Sequence, residues 1–272
     1  MERIGLIAGS GRFPVLFAET ARRRGVEVFA VAHRGETDPE LEGAVSGIDW
    51  IYPGELDAMI GALKAARVQR TVMVGGIAKP RLFREFRPDA RAMALITRTG
   101  IRDDLILRAV AAELESEGIA VVESTLYLQE IVPAAGVLGA RAPTAEEWND
   151  IRFGFRAAKV IGRYDIGQSV VVRSGAIIAV EGIEGTDATI RRAGQLANGD
   201  IVLVKVCKPT QDTRFDLPAV GPGTVAALAQ VQGRALAVEA GSTITLDRAE
   251  MLALADAADI AVVAIDAKEV GR

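Results

Sequence analysis

The chain has 272 residues, half of them hydrophobic, and its 32 Lys/Arg stand against 36 Asp/Glu for a net charge of −4. That length suits two domains of ordinary size or one large α/β unit, and the acidic balance excludes a dedicated nucleic-acid binder, which needs a broad cationic excess. The one cysteine, Cys207, allows no internal disulfide. The N-terminus MERIGLIAGSG has no basic stretch followed by a long apolar one, and no apolar run approaches bilayer length, so a cytoplasmic protein is expected.

The first half alternates strand and helix patterns. RIGLIAG reads as a strand, FPVLFAETARRRG as a helix stopped by glycine, and VEVFAVAH as a second strand, a βαβ unit that implies a parallel sheet. ELDAMIGALKAARV then reads as a helix, RTVMVGG as a strand, DDLILRAVAAELESEG as an acid-capped helix and IAVVES as a strand. A Rossmann-like domain over residues 1–132 is predicted. PAAGVLGARAPT carries no period and predicts a linker over 133–143.

Thr144 and Glu147 form a T-x-x-E capping box that opens the helix EWNDIRFGFRAAKVIGR. QSVVVRSGAIIAVEG reads as two strands joined at Ser-Gly, and TDATIRRAGQLANG as a helix capped by Thr186 or Asp187. DIVLVKVCK, a helix from Gly223, RALAVEAG with TITL, the helix DRAEMLALADAAD and the strand IAVVAID complete a second, distinct α/β domain over 144–272.

The stretch with most chemistry is KPTQDTRFDLPAVGPGT, where Lys208, Asp212, Arg214 and Asp216 stand between an apolar strand and a Pro/Gly turn. Two carboxylates four residues apart can share a divalent cation, and the flanking cations suit phosphate oxygens. A solvated charged loop is the simpler account of an isolated D-x-x-x-D. The buried strand just upstream argues against it, because ligand groups of open α/β sheets gather beyond strand carboxyl ends. A second acidic turn, VEGIEGTDATI, holds Glu181, Glu184 and Asp187 around two glycines at a helix start. With Asp212 and Asp216 it offers enough oxygens for Mg²⁺, while no His/Cys set exists for zinc.

Other motifs are weaker. Gly9, Ser10 and Gly11 lie between the first strand and helix, where a glycine turn brings N–H groups to a phosphate. Pro14, however, replaces the third small residue of a dinucleotide fingerprint, and no acid ends the second strand. Gly75 and Gly76 resemble a second ligand-facing turn, followed by Lys79 and Arg81. Lone His33 reads as a surface or supporting residue, Cys207 as a buried small hydrophobe, and Asp103 with Asp104 as complements to a helix dipole.

These pieces, in this order and over essentially the whole length, resemble the UDP-2,3-diacylglucosamine pyrophosphatases of lipid A biosynthesis of the type unrelated to calcineurin-like phosphoesterases. GLIAGSGRFP, VGGIAKPRLF with FRPD, IRDDLILRAV, VEGIEGTDATI and KPTQDTRFDLPAVGPGT carry the resemblance. It implies an N-terminal Rossmann-like domain joined to a C-terminal α/β domain with the active site in the cleft between them. The implied reaction uses Mg²⁺ to hydrolyse UDP-2,3-diacylglucosamine to UMP and lipid X. Asp216 matches the family's essential aspartate; Asp212, Lys208 and Arg214 share its motif; Gly185, Thr186 and Asp187 match the GTD turn. Metal-ligand candidates are Asp216, Asp212 and Glu181, and substrate-binding candidates are Gly9, Ser10, Gly11, Gly75, Gly76, Lys79, Gly185, Thr186 and Asp187. The expected setting is the cytoplasmic face of the inner membrane, with transient peripheral contact. A homodimer is left open, and a non-catalytic binder of nucleotide sugars or phospholipids is the alternative. Leu82, Phe83, Phe86, Phe153 and Phe155 are candidates for an acyl slot, with core packing the simpler account.

Overall fold

The computed structural model describes residues 2–76, 86–99 and 103–270. Its contacts divide the chain into two units: Met1–Gln129 together with Asp212–Asp216, and Glu130–Gln211 together with Leu217–Arg272.

The first unit is built on five parallel strands, β1 (Arg3–Ala8), β2 (Glu27–His33), β3 (Gly47–Ile51), β4 (Arg70–Val74) and β5 (Ala120–Val121), in the order β3-β2-β1-β4-β5. Its described helices are α1 (Phe13–Arg23), α2 (Leu56–Ala65), α3 (Ala90–Thr99) and α4 (Asp103–Ser116). β1, β2 and β4 are covered on both faces, which is why their sequences are near-continuous apolar runs. The chain winds outward from β1 to β3 and then returns to β4 on the other side. The order therefore reverses between β1 and β4, the place where sheets of this Rossmann-like type open to a ligand.

That reversal is closed by glycines in contact. Gly9 N donates to Val74 O at 2.8 Å, and Ser10 N and Oγ both donate to Gly76 O, at 2.7 and 2.9 Å. A Cβ on Gly75 would lie 2.5 Å from Ser10 O, and the residue has φ of +83°. Gly75→Ala is expected to destabilise the protein by about 1–3 kcal/mol through left-handed backbone strain alone, read as a lower urea midpoint.

The second unit has a six-stranded mixed sheet, order β6-β13-β11-β9-β7-β8. In chain order its elements are β6 (Gly136–Val137), α5 (Ala145–Arg163), β7 (Ser169–Arg173), β8 (Ala176–Val180), α6 (Thr186–Ala197), β9 (Val202–Lys205), β10 (Ala219–Val220), α7 (Pro222–Gln230), β11 (Ala235–Glu239), β12 (Ile244–Thr245), α8 (Arg248–Ala257), β13 (Ala261–Ile265) and α9 (Ala267–Val270). β9, β11 and β13 run parallel, and β10 pairs with β12 apart from the main sheet. Strand alternation sends Val202 and Val204 into one core with Ile151, Phe155 and Ala158 of α5, and Leu203 into the other with Ile190, Val225 and Met251. Helix α5 approaches the sheet closely because Gly154 faces it, where a Cβ would stand 2.7 Å from Val204. The predicted capping box is formed: Thr144 Oγ1 accepts from Glu147 N, and the Glu147 side chain accepts from Thr144 N.

The stretch expected as a periodless linker, residues 133–143, contributes a strand to the second unit. Val137 pairs with Val263, Leu138 N donates to Val262 O at 2.8 Å, and Arg141 grips Glu147 with two bonds of 2.9 Å. Its Pro/Gly/Ala composition conceals a two-residue edge strand too short to show a period. The hairpin predicted at Ser-Gly is formed by β7 and β8, and both turn residues, Ser174 and Gly175, take positive φ. Phe155 is core, and Phe153, half-buried, packs against the same cluster. Phe86 is half-buried, and Leu82 and Phe83 lie outside the described residues. No helix among the described residues is long and apolar enough to cross a membrane.

Candidate functional site

In the first unit the two glycine turns predicted to face a ligand are brought together at the sheet's reversal point. Their polar groups are partly engaged with each other, however: both donors of Ser10 are taken by Gly76 O. Gly11, with φ of +88°, and Gly76 both have open space where a Cβ would stand. Lys79 and Arg81 lie outside the described residues. His33, expected at the surface or in support, is buried; its Nδ1 is 2.9 Å from Ala8 O, and Thr37 Oγ1 donates to the same oxygen at 2.6 Å. Burial lowers the His33 pKa, opposed by the bond to Ala8, so it acts as a neutral brace at the end of β1.

Asp212–Asp216 belongs to this unit although it follows β9 in sequence. Phe215 anchors it, buried in the cluster that includes Leu95, Leu114 and Val121, and Ser124 N donates to Arg214 O at 2.7 Å. Asp212 O accepts from Asp216 N at 3.0 Å, which sets both aspartates on one tight turn with Asp216 half-buried.

The Asp212 carboxylate accepts Nε of Arg214 at 3.1 Å and Nη2 at 2.9 Å, and Arg214 Nη1 reaches Glu115 at 2.9 Å. The guanidinium bonds hold the Asp212 carboxyl below its ordinary value against the opposing effect of burial, and the same pairing raises Arg214. A carboxylate whose folded pKa is depressed stabilises the fold above its unfolded pKa, and that contribution is lost as pH falls through the folded value. Asp212→Asn is therefore expected to lower the melting temperature most near neutral pH, with the difference from wild type shrinking as melts are repeated toward pH 3.

The second unit gathers a different set at the carboxyl end of β9. Lys205, 7% exposed, donates to Thr186 Oγ1 at 3.0 Å and to Ala219 O at 3.0 Å. Thr186 Oγ1 donates in turn to Glu181 Oε1 at 2.7 Å, and Gln168 N to Glu181 Oε2 at 3.2 Å. Thr186 is consequently not the helix cap that its sequence position suggests. Gly185 occupies the N-cap of α6 with φ of +80°, while the Thr186 hydroxyl links a buried cation to a buried carboxylate. Asp187 is exposed in the first turn of α6. Lys205 was missed by motif reading, yet a lysine closing the buried run VLVK is itself a signal, since a charge there requires partners.

Beneath the Lys208 loop lies a second pair, with Glu239 buried and Lys159 half-buried. Lys159 Nζ of α5 donates to Glu239 Oε2 at 2.6 Å and to Cys207 O at 2.7 Å, and Cys207 N donates to the same Glu239 oxygen at 2.9 Å. Cys207 is thus held through both its own N–H and its own carbonyl. Lys208 follows, its ammonium 2.8 Å from Asp165 and its N–H 2.9 Å from Gln211 Oε1. Cys207 is buried, as expected.

The carboxylates fit a hard cation by donor type, all oxygen with no imidazole or thiol in the turn. Among the described residues, no three His, Cys, Asp or Glu side chains are gathered into a metal-holding group. Asp212 and Asp216 lie in the first unit and Glu181 in the second.

Fold and side-chain placement define a two-unit α/β protein, Rossmann-like in its first unit and a mixed sheet in its second. The chain belongs to the LpxI family: the LpxI N-terminal domain pattern matches residues 3–131 and the LpxI C-terminal domain pattern residues 134–263. It is 34% identical over 284 aligned positions, covering 99% of both chains, to a Caulobacter vibrioides protein named UDP-2,3-diacylglucosamine pyrophosphatase LpxI. Among solved structures it is similar to the biotin carboxylase subunit of pyruvate carboxylase, at 12% identity over 72% of this chain and 42% of that one with a TM-score of 0.29. It is also similar to UDP-glucose 4-epimerase from Bifidobacterium longum, at 13% identity over 53% and 42% with a TM-score of 0.28. The chain spans under half the length of these solved chains, and likenesses this low define neither its fold nor its chemistry.

Proposed function

We infer that this protein hydrolyses the pyrophosphate bond of UDP-2,3-diacylglucosamine. The observation that carries this reading is the match to the Caulobacter vibrioides pyrophosphatase over 99% of both chains. In the proposed reaction an O–P bond to water forms as the bridging P–O bond breaks, giving UMP and lipid X. The Asp216 carboxylate orients the water or accepts its proton. Among the described residues three of Arg214's five N–H donors are taken by Asp212 and Glu115, which fixes the guanidinium plane and leaves two for phosphate oxygens. The Lys208 ammonium, held by Asp165, adds positive charge. Mg²⁺ held by Asp216 and Asp212 would neutralise charge building on the phosphoryl oxygens, while Glu181 is kept for Thr186 and Gln168. The setting proposed is the cytoplasmic face of the inner membrane, where a diacylated substrate resides.

Purified protein incubated with the UDP-lipid and Mg²⁺ should yield UMP and lipid X by mass spectrometry. Recovery of unaltered substrate bound to the protein would favour the non-catalytic binder instead. EDTA is expected to lower the rate at least about tenfold, with recovery on added Mg²⁺; an unchanged rate would remove the cation from the reaction.

A further inference from the structure

Helix α5 carries an outward stripe that the catalytic reading does not use. Between Ile151 and Tyr164 the sequence has four cations and no acid, in a chain whose net charge is −4. Lys159 turns inward to Glu239. Arg152, Arg156 and Arg163 are exposed and form no ion pair among the described residues, unlike exposed arginines such as Arg3, Arg12 and Arg192, each of which faces a glutamate. Interleaved with them are large apolar side chains left in water: Val160 is 53% exposed, Tyr164 at the helix C-cap 76%, and Ile166 just beyond 53%. At 3.6 residues per turn, positions 152, 156, 160, 163 and 164 share an arc of about 120°.

A basic face with protruding apolar groups has the chemistry that binds an anionic lipid surface, where cations meet headgroups and apolar side chains enter the acyl boundary. Nucleic acid would find cations but no use for the aliphatic groups, and an acidic chain's second copy would place these arginines against one another. The same helix reaches the site loop at the edge of this stripe, where Lys159 donates to Cys207 O, and further round, where Gly162 packs against Lys208 and Pro209.

We propose that the Arg152–Ile166 stripe of α5 is the surface by which this protein docks on an anionic bilayer. The choice of a bilayer rests on the lipid-substrate reading, but the test contains no substrate, so the two fail separately. The wild-type protein is sedimented with vesicles of phosphatidylethanolamine and phosphatidylglycerol, and with phosphatidylcholine vesicles. Binding to the anionic vesicles alone, reduced by salt, is expected. Partitioning should fall roughly fivefold for each arginine replaced by glutamine at 152, 156 and 163, and again for Val160→Ser with Tyr164→Ser. Unchanged circular dichroism and an unchanged melting temperature would show that the variants are folded. Absence of anionic-vesicle binding by the wild type, or equal binding by the folded variants, overturns the proposal. So does a wild-type dimer that the arginine variants dissociate, which would make the stripe an interface between copies.

Discussion

Asp216→Ala is expected to lower kcat about a thousandfold while leaving the protein folded, the scale seen when a group acting mainly in the transition state is removed. The turn that presents Asp216 is anchored by neighbours: the Phe215 ring in the first unit's core, the Arg214 carbonyl accepting from Ser124 N, and the Asp212–Arg214 fork. Truncating the Asp216 side chain deletes none of these. Asp212→Ala supplies the contrast, because it releases the guanidinium plane of Arg214 and should reduce stability as well as rate. Kinetics with circular dichroism on both variants separate the two roles. A folded Asp216→Ala protein with near wild-type kcat would remove this carboxylate from the chemistry.

The parts of the fold visible in the sequence are those where one force dominates. RIGLIA, RTVMV and AVVAI are covered on both faces and so read as unbroken apolar runs, and the α5 capping box is a local bonding pattern written in four residues. β3, GIDWI, is hidden in the sequence because an edge strand with half-exposed residues lacks that run. α3 is hidden because its start signal, Asp89 accepting from Ala92 N, stands in an otherwise charged stretch. The sequence singles out KPTQDTRFD and GTD as candidates and treats their charges as a pool for one ligand. The structure divides them into pairs fixed by nearest neighbours: Asp212 with Arg214, Lys208 with Asp165, Glu181 with Thr186. Lys205, Lys159 and Glu239 escaped because their partners are 14 to 80 residues away, at separations no motif spans.

Lys159→Met is expected to destabilise the protein by about 3 kcal/mol, the cost of leaving the buried Glu239 carboxylate without its cation. Among the described residues Glu239 would retain only the Cys207 N–H, on an oxygen now shared with the ammonium, in a residue 7% exposed. At roughly 3 °C per kcal/mol for a chain of this size, the melting temperature should fall by about 10 °C. Adding Glu239→Leu to Lys159→Met removes the orphaned charge, so the double variant should regain part of that loss. Recovery stays incomplete because the bond from Cys207 N to Glu239 is also removed, at about 1 kcal/mol. Both variants should also lose turnover, since the clamped Cys207 peptide fixes the start of the loop that carries Lys208. Melts of the two single variants and the double in one buffer test the coupling. Additive losses would mean that Lys159 and Glu239 act independently, and that the clamp does not hold the loop as a unit.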